Sequence, residues 1–157
     1  MYGYQSVTIN TGEAAGANGS ATANNTSSHV VTGQICSIGV TYGDSPPGTT
    51  DVTIATAGNN GPALTILTLT TANTNGWFHP RHVVDSNTGA DIEYADGYSV
   101  HDKVCVADNI KVTIAQANNP DTAEVVVVYY AGAYCLSKST PSRCPPPGLT
   151  LRRPVRW

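Results

Sequence analysis

Run after run of apolar residues alternating with polar ones sets the strongest limit on the shape this chain can take. In "VVTGQICSIGVTY" Cys36, Ile38, Val40 and Tyr42 fall on one side, and Ile35, Ser37, Gly39 and Thr41 on the other. A period of two is the signature of a half-buried strand. "DVTIAT" directs Val52 and Ile54 inward, "ALTILTLTT" supplies a longer apolar strand, and "IKVTIAQA" aligns Ile110, Val112 and Ile114. "EVVVVYYAG" is an almost continuous apolar run, the pattern of a central strand. Turn-forming stretches such as "GDSPPGTT", "AGNNGP" and "NNPD" separate these runs. No window longer than ten residues carries a helical period. Seven or eight strands at regular spacing predict an all-β chain, an antiparallel β-sandwich of jelly-roll-like type over residues 30–132.

The two ends read differently. Residues 1–29 begin with Tyr2 and Tyr4 and the short strand-like "SVTIN", which holds Val7 and Ile9. "GEAAGANGSATANNTSSH" follows; it is small, polar and without period, so a linker that is disordered in the isolated chain is expected. Residues 133–157 have no core-sized apolar run and end in "CPPPGLTLRRPVRW". Pro145–Pro147 favour a stiff polyproline-II spacer. Beyond it Leu149 and Leu151 alternate with polar residues, as in a strand added to a neighbouring sheet edge. Arg152, Arg153 and Arg156 suit carboxylates, and Trp157 suits a pocket as an anchor. Fully extended, the last twenty residues reach on the order of 60 Å, enough to cross onto another subunit. Both ends are therefore expected to be partner-binding arms.

Charge supports a protein partner for the tail. Only 12% of the residues are charged and the net charge is −3. Residues 1–137 hold eleven Asp and Glu against three Lys and Arg, leaving −8, whereas residues 138–157 carry +5. A basic extension on an acidic body points to an acidic partner or to an acidic patch on a sibling subunit. The same body would repel a nucleic acid, and three clustered arginines make a small phosphate footprint. No stretch approaches the eighteen or more apolar residues of a membrane span, and the first residues lack the basic and apolar regions of a signal peptide, so neither a membrane span nor secretion is expected.

The residue types that carry chemistry do not converge. His79 and His82 are three apart with Asp85 three later, but Pro80 opposes the helix that would gather them. His101 and Asp102 are adjacent on a strand-like run and so point to opposite faces. No G-x-S-x-G elbow, phosphate loop or dinucleotide fingerprint occurs. No enzyme activity, cofactor or metal is expected. Cys36 and Cys105, in strand-like runs, are expected to be buried thiols, while Cys135 and Cys144 are close enough to form a disulfide at the root of the tail. Trp77, Phe78, Tyr94 and Tyr98 are the one aromatic set that could line a glycan groove, though packing within loops is the expectation for them.

Three stretches, "VVTGQICSIGVTYGDSPPGTTDVTIATAG", "TILTLTTANTNGWFHPRHVVDSNTG" and "HDKVCVADNIKVTIAQANN…EVVVVYY", together resemble the β-sandwich head proteins of tailed bacteriophages, in particular capsid decoration (cement) proteins. The resemblance covers roughly residues 30–131 and the strand and small-residue segment before them; it does not extend to Cys135–Trp157. It implies a virion structural protein on the outer capsid surface, made in the host cytoplasm. Such a protein is commonly a homotrimer that clamps neighbouring major capsid protein subunits. A tail or head-fibre component, or a receptor- or glycan-binding sandwich, is the alternative.

Overall fold

The computed structural model describes residues 3–43, 45–94 and 97–132. Tyr2, the Cys135–Cys144 pair, and Leu149, Leu151, Arg152, Arg153, Arg156 and Trp157 lie outside the described residues. Among the described residues thirteen strands occur in chain order: β1 (Gly3–Asn10), β2 (Ala21–Thr26), β3 (Val31–Tyr42), β4 (Asp51–Thr56), β5 (Thr65–Leu69), β6 (Gly76–Phe78), β7 (Arg81–Val83), β8 (Glu93–Tyr94), β9 (Tyr98–Ser99), β10 (His101–Lys103), β11 (Cys105–Asp108), β12 (Ile110–Ala117) and β13 (Ala123–Ala131).

Eight of them behave as one folded ribbon. β1 pairs with β13, β2 with β12, β3 with β11 and β4 with β5, all antiparallel. Rolling that ribbon brings β13 against β3 and β12 against β4. Two sheets result, β1-β13-β3-β11 and β2-β12-β4-β5, which is the strand order of a jelly roll. β6 adds beside β3. The chain is therefore all-β and antiparallel, and its sandwich is of the jelly-roll kind.

Alternation determines what fills the space between the sheets. Val7, Ile9, Ile38, Val40, Val125 and Val127 from one sheet meet Val52, Ile54, Ile110, Val112 and Ile114 from the other in a single buried cluster. Full burial of each such aliphatic side chain stabilises by about 1.5–3 kcal/mol. The expected inward sets on β4 and β12 are the ones observed. β3 departs from strict alternation, because Val31 and Ile35 are buried together with Ile38, Val40 and Tyr42. A register shift opposite Val128 and Tyr129 passes over Cys36, so this residue is the extra one of a β-bulge. The bulge reverses the phase, which turns Cys36 away from the face of Ile38.

The N-terminal residues differ from the expected arm. Val7 and Ile9 are core side chains, 5% and 3% exposed, on a strand paired with β13 from Gly3 to Asn10. Within the expected linker, Ala14 and Ala21 are buried and β2 pairs with β12. The backbone N–H groups of Thr11 and Ala14 donate to the carbonyls of Ala123 and Asp121 at 2.9 and 2.8 Å, and Gly19 N–H donates to Ala117 O at 2.9 Å. Ser27 Oγ accepts from Ile110 N–H at 3.0 Å. Small side chains let this segment lie flat against the body, held by main-chain bonds that hydrophobic periodicity does not encode.

Asp108 fixes the opposite end of the sandwich. Its buried carboxylate accepts the backbone N–H groups of Gly58 at 2.8 Å, Asn59 at 3.0 Å and Asn109 at 2.8 Å, which joins two turns. Tyr42 shows the opposite balance. Its hydroxyl is buried with no hydrogen-bond partner among the described residues, and desolvation pushes its pKa above the ordinary value. The folded protein holds the phenol neutral. As pH rises above about 10, the unfolded chain ionises first and stability falls.

Ile9→Ala should lower unfolding free energy by about 3 kcal/mol in a urea titration, whereas an Ile9 on a free arm would leave it within about 0.5 kcal/mol. Tyr42→Phe should match or exceed the wild type at neutral pH and lose less stability on alkaline titration. A loss above about 1 kcal/mol at neutral pH would show that the hydroxyl is satisfied.

Candidate interaction surface

The stretch between β5 and β11 leaves the sandwich and returns to it, and most of the exposed aromatics lie along it. β6 first pairs Trp77 with Gly39 of β3. A Cβ on residue 39 would lie 3.0 Å from Cη2 and Cζ2 of the Trp77 ring, so glycine is what lets the indole rest on the sheet. Gly39, Val40, Thr41, Asn75, Trp77 and Val126 line a groove of about 180 Å³ there. Phe78, the next residue, packs against the core instead.

After the buried Pro80 the chain projects as an ear over residues 81–103. β7 and β10 form its stem, with Arg81 opposite Lys103, His82 opposite Asp102 and Val83 opposite His101. Above the stem three segments join through main-chain bonds. Val84 N–H donates to Val100 O at 2.9 Å, Ile92 N–H to Val84 O at 2.8 Å, and Val100 N–H to Ile92 O at 2.8 Å. One turn closes where Ser86 N–H donates to Ala90 O at 2.7 Å. At the other, β8 and β9 set Tyr94 opposite Tyr98, with ring centroids 6.3 Å apart.

Exposure identifies this region as a surface feature. Trp77, Tyr94 and Tyr98 are 61%, 65% and 64% exposed, and Ile92 stands out beside them. The expectation that these side chains pack within loops is therefore corrected: Trp77, Tyr94 and Tyr98 are exposed, and Phe78 packs against the core. Asp85, Asp91 and Glu93 lie exposed on the same ear. On the sandwich itself Tyr4 is exposed and meets Tyr130 edge-on at 5.5 Å.

The chemistry-bearing side chains stay apart. His79 Nδ1 faces Cys36 O at 3.3 Å, and His101 Nδ1 faces Ser99 O at 2.9 Å. Asp102 accepts from Lys103 N–H at 2.6 Å. Among the described residues no three His, Cys, Asp or Glu side chains group to hold a metal. Cys36 is half-buried and Cys105 exposed, both as free thiols. This corrects the expectation of buried thiols: Val104, just before β11, and Val106 within it turn inward, which leaves Cys105 facing out. No helix among the described residues is long and apolar enough to cross a membrane.

Comparison with known proteins finds no matching family model, no matching curated protein and no matching solved structure.

Because the ear is held by few buried apolar contacts, its amides should exchange much faster than those of the core. Hydrogen exchange at residues 84–94 should outpace that at Val112, Ile114, Val125 and Val127 by about a thousandfold or more. Equal protection would mean that the ear is integral to the cooperative core.

Proposed function

We propose that the protein is a virion structural protein, a decoration or cement protein that attaches to the outer capsid surface and stabilises neighbouring major capsid protein subunits. The observation that carries this reading is the presentation of Trp77, Tyr94 and Tyr98. Each is more than 60% exposed, Trp77 on the sheet at β6 and the two tyrosines on the ear that follows it. Large rigid aromatics on an outward surface are the residue types that anchor protein interfaces. Jelly rolls serve as viral capsid domains, and the sequence resemblance points the same way. Fold alone does not assign the role.

On this reading the activity is mechanical, without turnover or cofactor. The ear supplies an aromatic anchor, and the basic segment ending in Arg152, Arg153, Arg156 and Trp157 supplies a second attachment. Contacts spread over several shell subunits must break together under internal pressure or shear. A homotrimer suits a site shared among such subunits.

The exposed aromatics also favour a second reading, as a receptor- or glycan-binding sandwich of a tail or head fibre, since sugar rings stack on such side chains. Two measurements separate the readings. Trp77→Ala combined with Tyr98→Ala should leave thermal stability nearly unchanged but lower co-sedimentation with the encoding phage's capsid shells about tenfold or more. Shell binding that ignores both substitutions would remove the decoration reading. Glycan binding abolished by Trp77→Ala alone would establish the adhesin in its place.

A further inference from the structure

β1 is an edge strand of unusual openness. It pairs with β13 through eight residues without a register shift, and no strand among the described residues pairs with its other edge. Exposed edges are normally shielded by shortness, charge, proline or bulges. β11 has four residues and Asp108, and the β2 and β5 edges have interrupted registers. β1, "GYQSVTIN", has no charge, no proline and no bulge.

The bond pattern shows which groups of β1 are free. Thr11 N–H donates to Ala123 O at 2.9 Å, in the register that continues the β1·β13 ladder. In an antiparallel pair the direction of N–H and C=O alternates along the strand. Odd-numbered residues therefore bond to β13, whereas Tyr4, Ser6, Thr8 and Asn10 point their main-chain groups outward. Asn10 O is taken by Asn25 Nδ2 at 2.8 Å. An open ladder remains from Tyr4 to Thr8.

We infer that this open edge accepts a strand donated by residues 148–153 of a second copy of the chain. The donor is the one proline-free, alternating window of the tail, Gly148 to Arg153, between Pro147 and Pro154. Its six residues match the five of the open ladder. Leu149 and Leu151 then continue the row of Val7 and Ile9, and Thr150 and Arg152 share the solvent face with Ser6 and Thr8. The length of the connection selects another copy. β13 ends at Ala131, directly opposite Gly3 of β1, so the chain's own free edge is only about 10 Å from the exit point. Crossing that distance takes only about three to five residues of extended chain. Sixteen residues separate Ala131 from Gly148, including the stiff Pro145–Pro147, and they span on the order of 50 Å. Head-to-tail donation of this kind generates a cyclic oligomer when the rotation between copies closes. The inference concerns the isolated protein and does not rest on attachment to a capsid.

The full chain is compared with Thr8→Pro, which removes one outward N–H without touching a bond to β13, and with Leu149→Asp/Leu151→Asp, which leaves the sandwich unaltered. Sedimentation velocity should show an oligomer for the full chain and association weakened about tenfold or more for both variants. Amide exchange at Tyr4, Ser6 and Thr8 should be slowed in the full chain and released in the tail variant. An oligomer that survives the tail substitutions would overturn the inference, as would unprotected amides at these three positions. Protection that persists in a monomer at high dilution would also overturn it, by showing that the chain caps its own edge.

Discussion

Everything in this molecule depends on the ladder that β13 makes with its two neighbours. Val127 stands opposite Val7 on one side and Ile38 on the other, so the first long strand and the last are joined across 120 residues of sequence. Such a long-range closure costs loop entropy that only the completed core offsets. The remaining pairs of the rolled ribbon then follow, because β12, which leads into β13, lies between β2 and β4 in the other sheet. Turns carry the residual polar bookkeeping, as Asp108 does for three backbone N–H groups.

Much of the architecture was legible where side chains alternate. The inward sets of Val52 and Ile54, and of Ile110, Val112 and Ile114, follow from spacing alone, and "EVVVVYYAG" is indeed a central strand. The bulge at Cys36 was not legible, since an inserted residue leaves the composition of a strand unchanged while reversing its phase. Nor was the segment through Ala14, Ala21 and Ser27. Its attachment lies in main-chain bonds to residues a hundred positions away, and small polar side chains give no sign of them. Strand count was accessible from local pattern, whereas strand order is a choice among distant pairings.

The surface features divide along the same line. Tyr94 and Tyr98 could be named as a set from the sequence, but their facing positions depend on the β8·β9 register, and the seat of Trp77 on the sheet depends on a glycine 38 residues earlier. The openness of β1 is a property of topology alone. A strand with buried Val7 and Ile9 looks from its sequence like any other, and only its place at the end of a sheet leaves its outward main-chain groups from Tyr4 to Thr8 without strand partners among the described residues. The aromatic ear and the bare edge are the features on which the two proposed attachments rest, one through side chains and one through backbone.

The proposal that the protein decorates a capsid is tested most directly by imaging, at side-chain resolution, the assembled virion in which it is proposed to sit. The account predicts this jelly roll on the outer capsid surface, with the Trp77 and Tyr94–Tyr98 region pressed against shell subunits. Intact particles whose outer shell lacks the protein, or a bound protein whose ear faces open solvent, would contradict it.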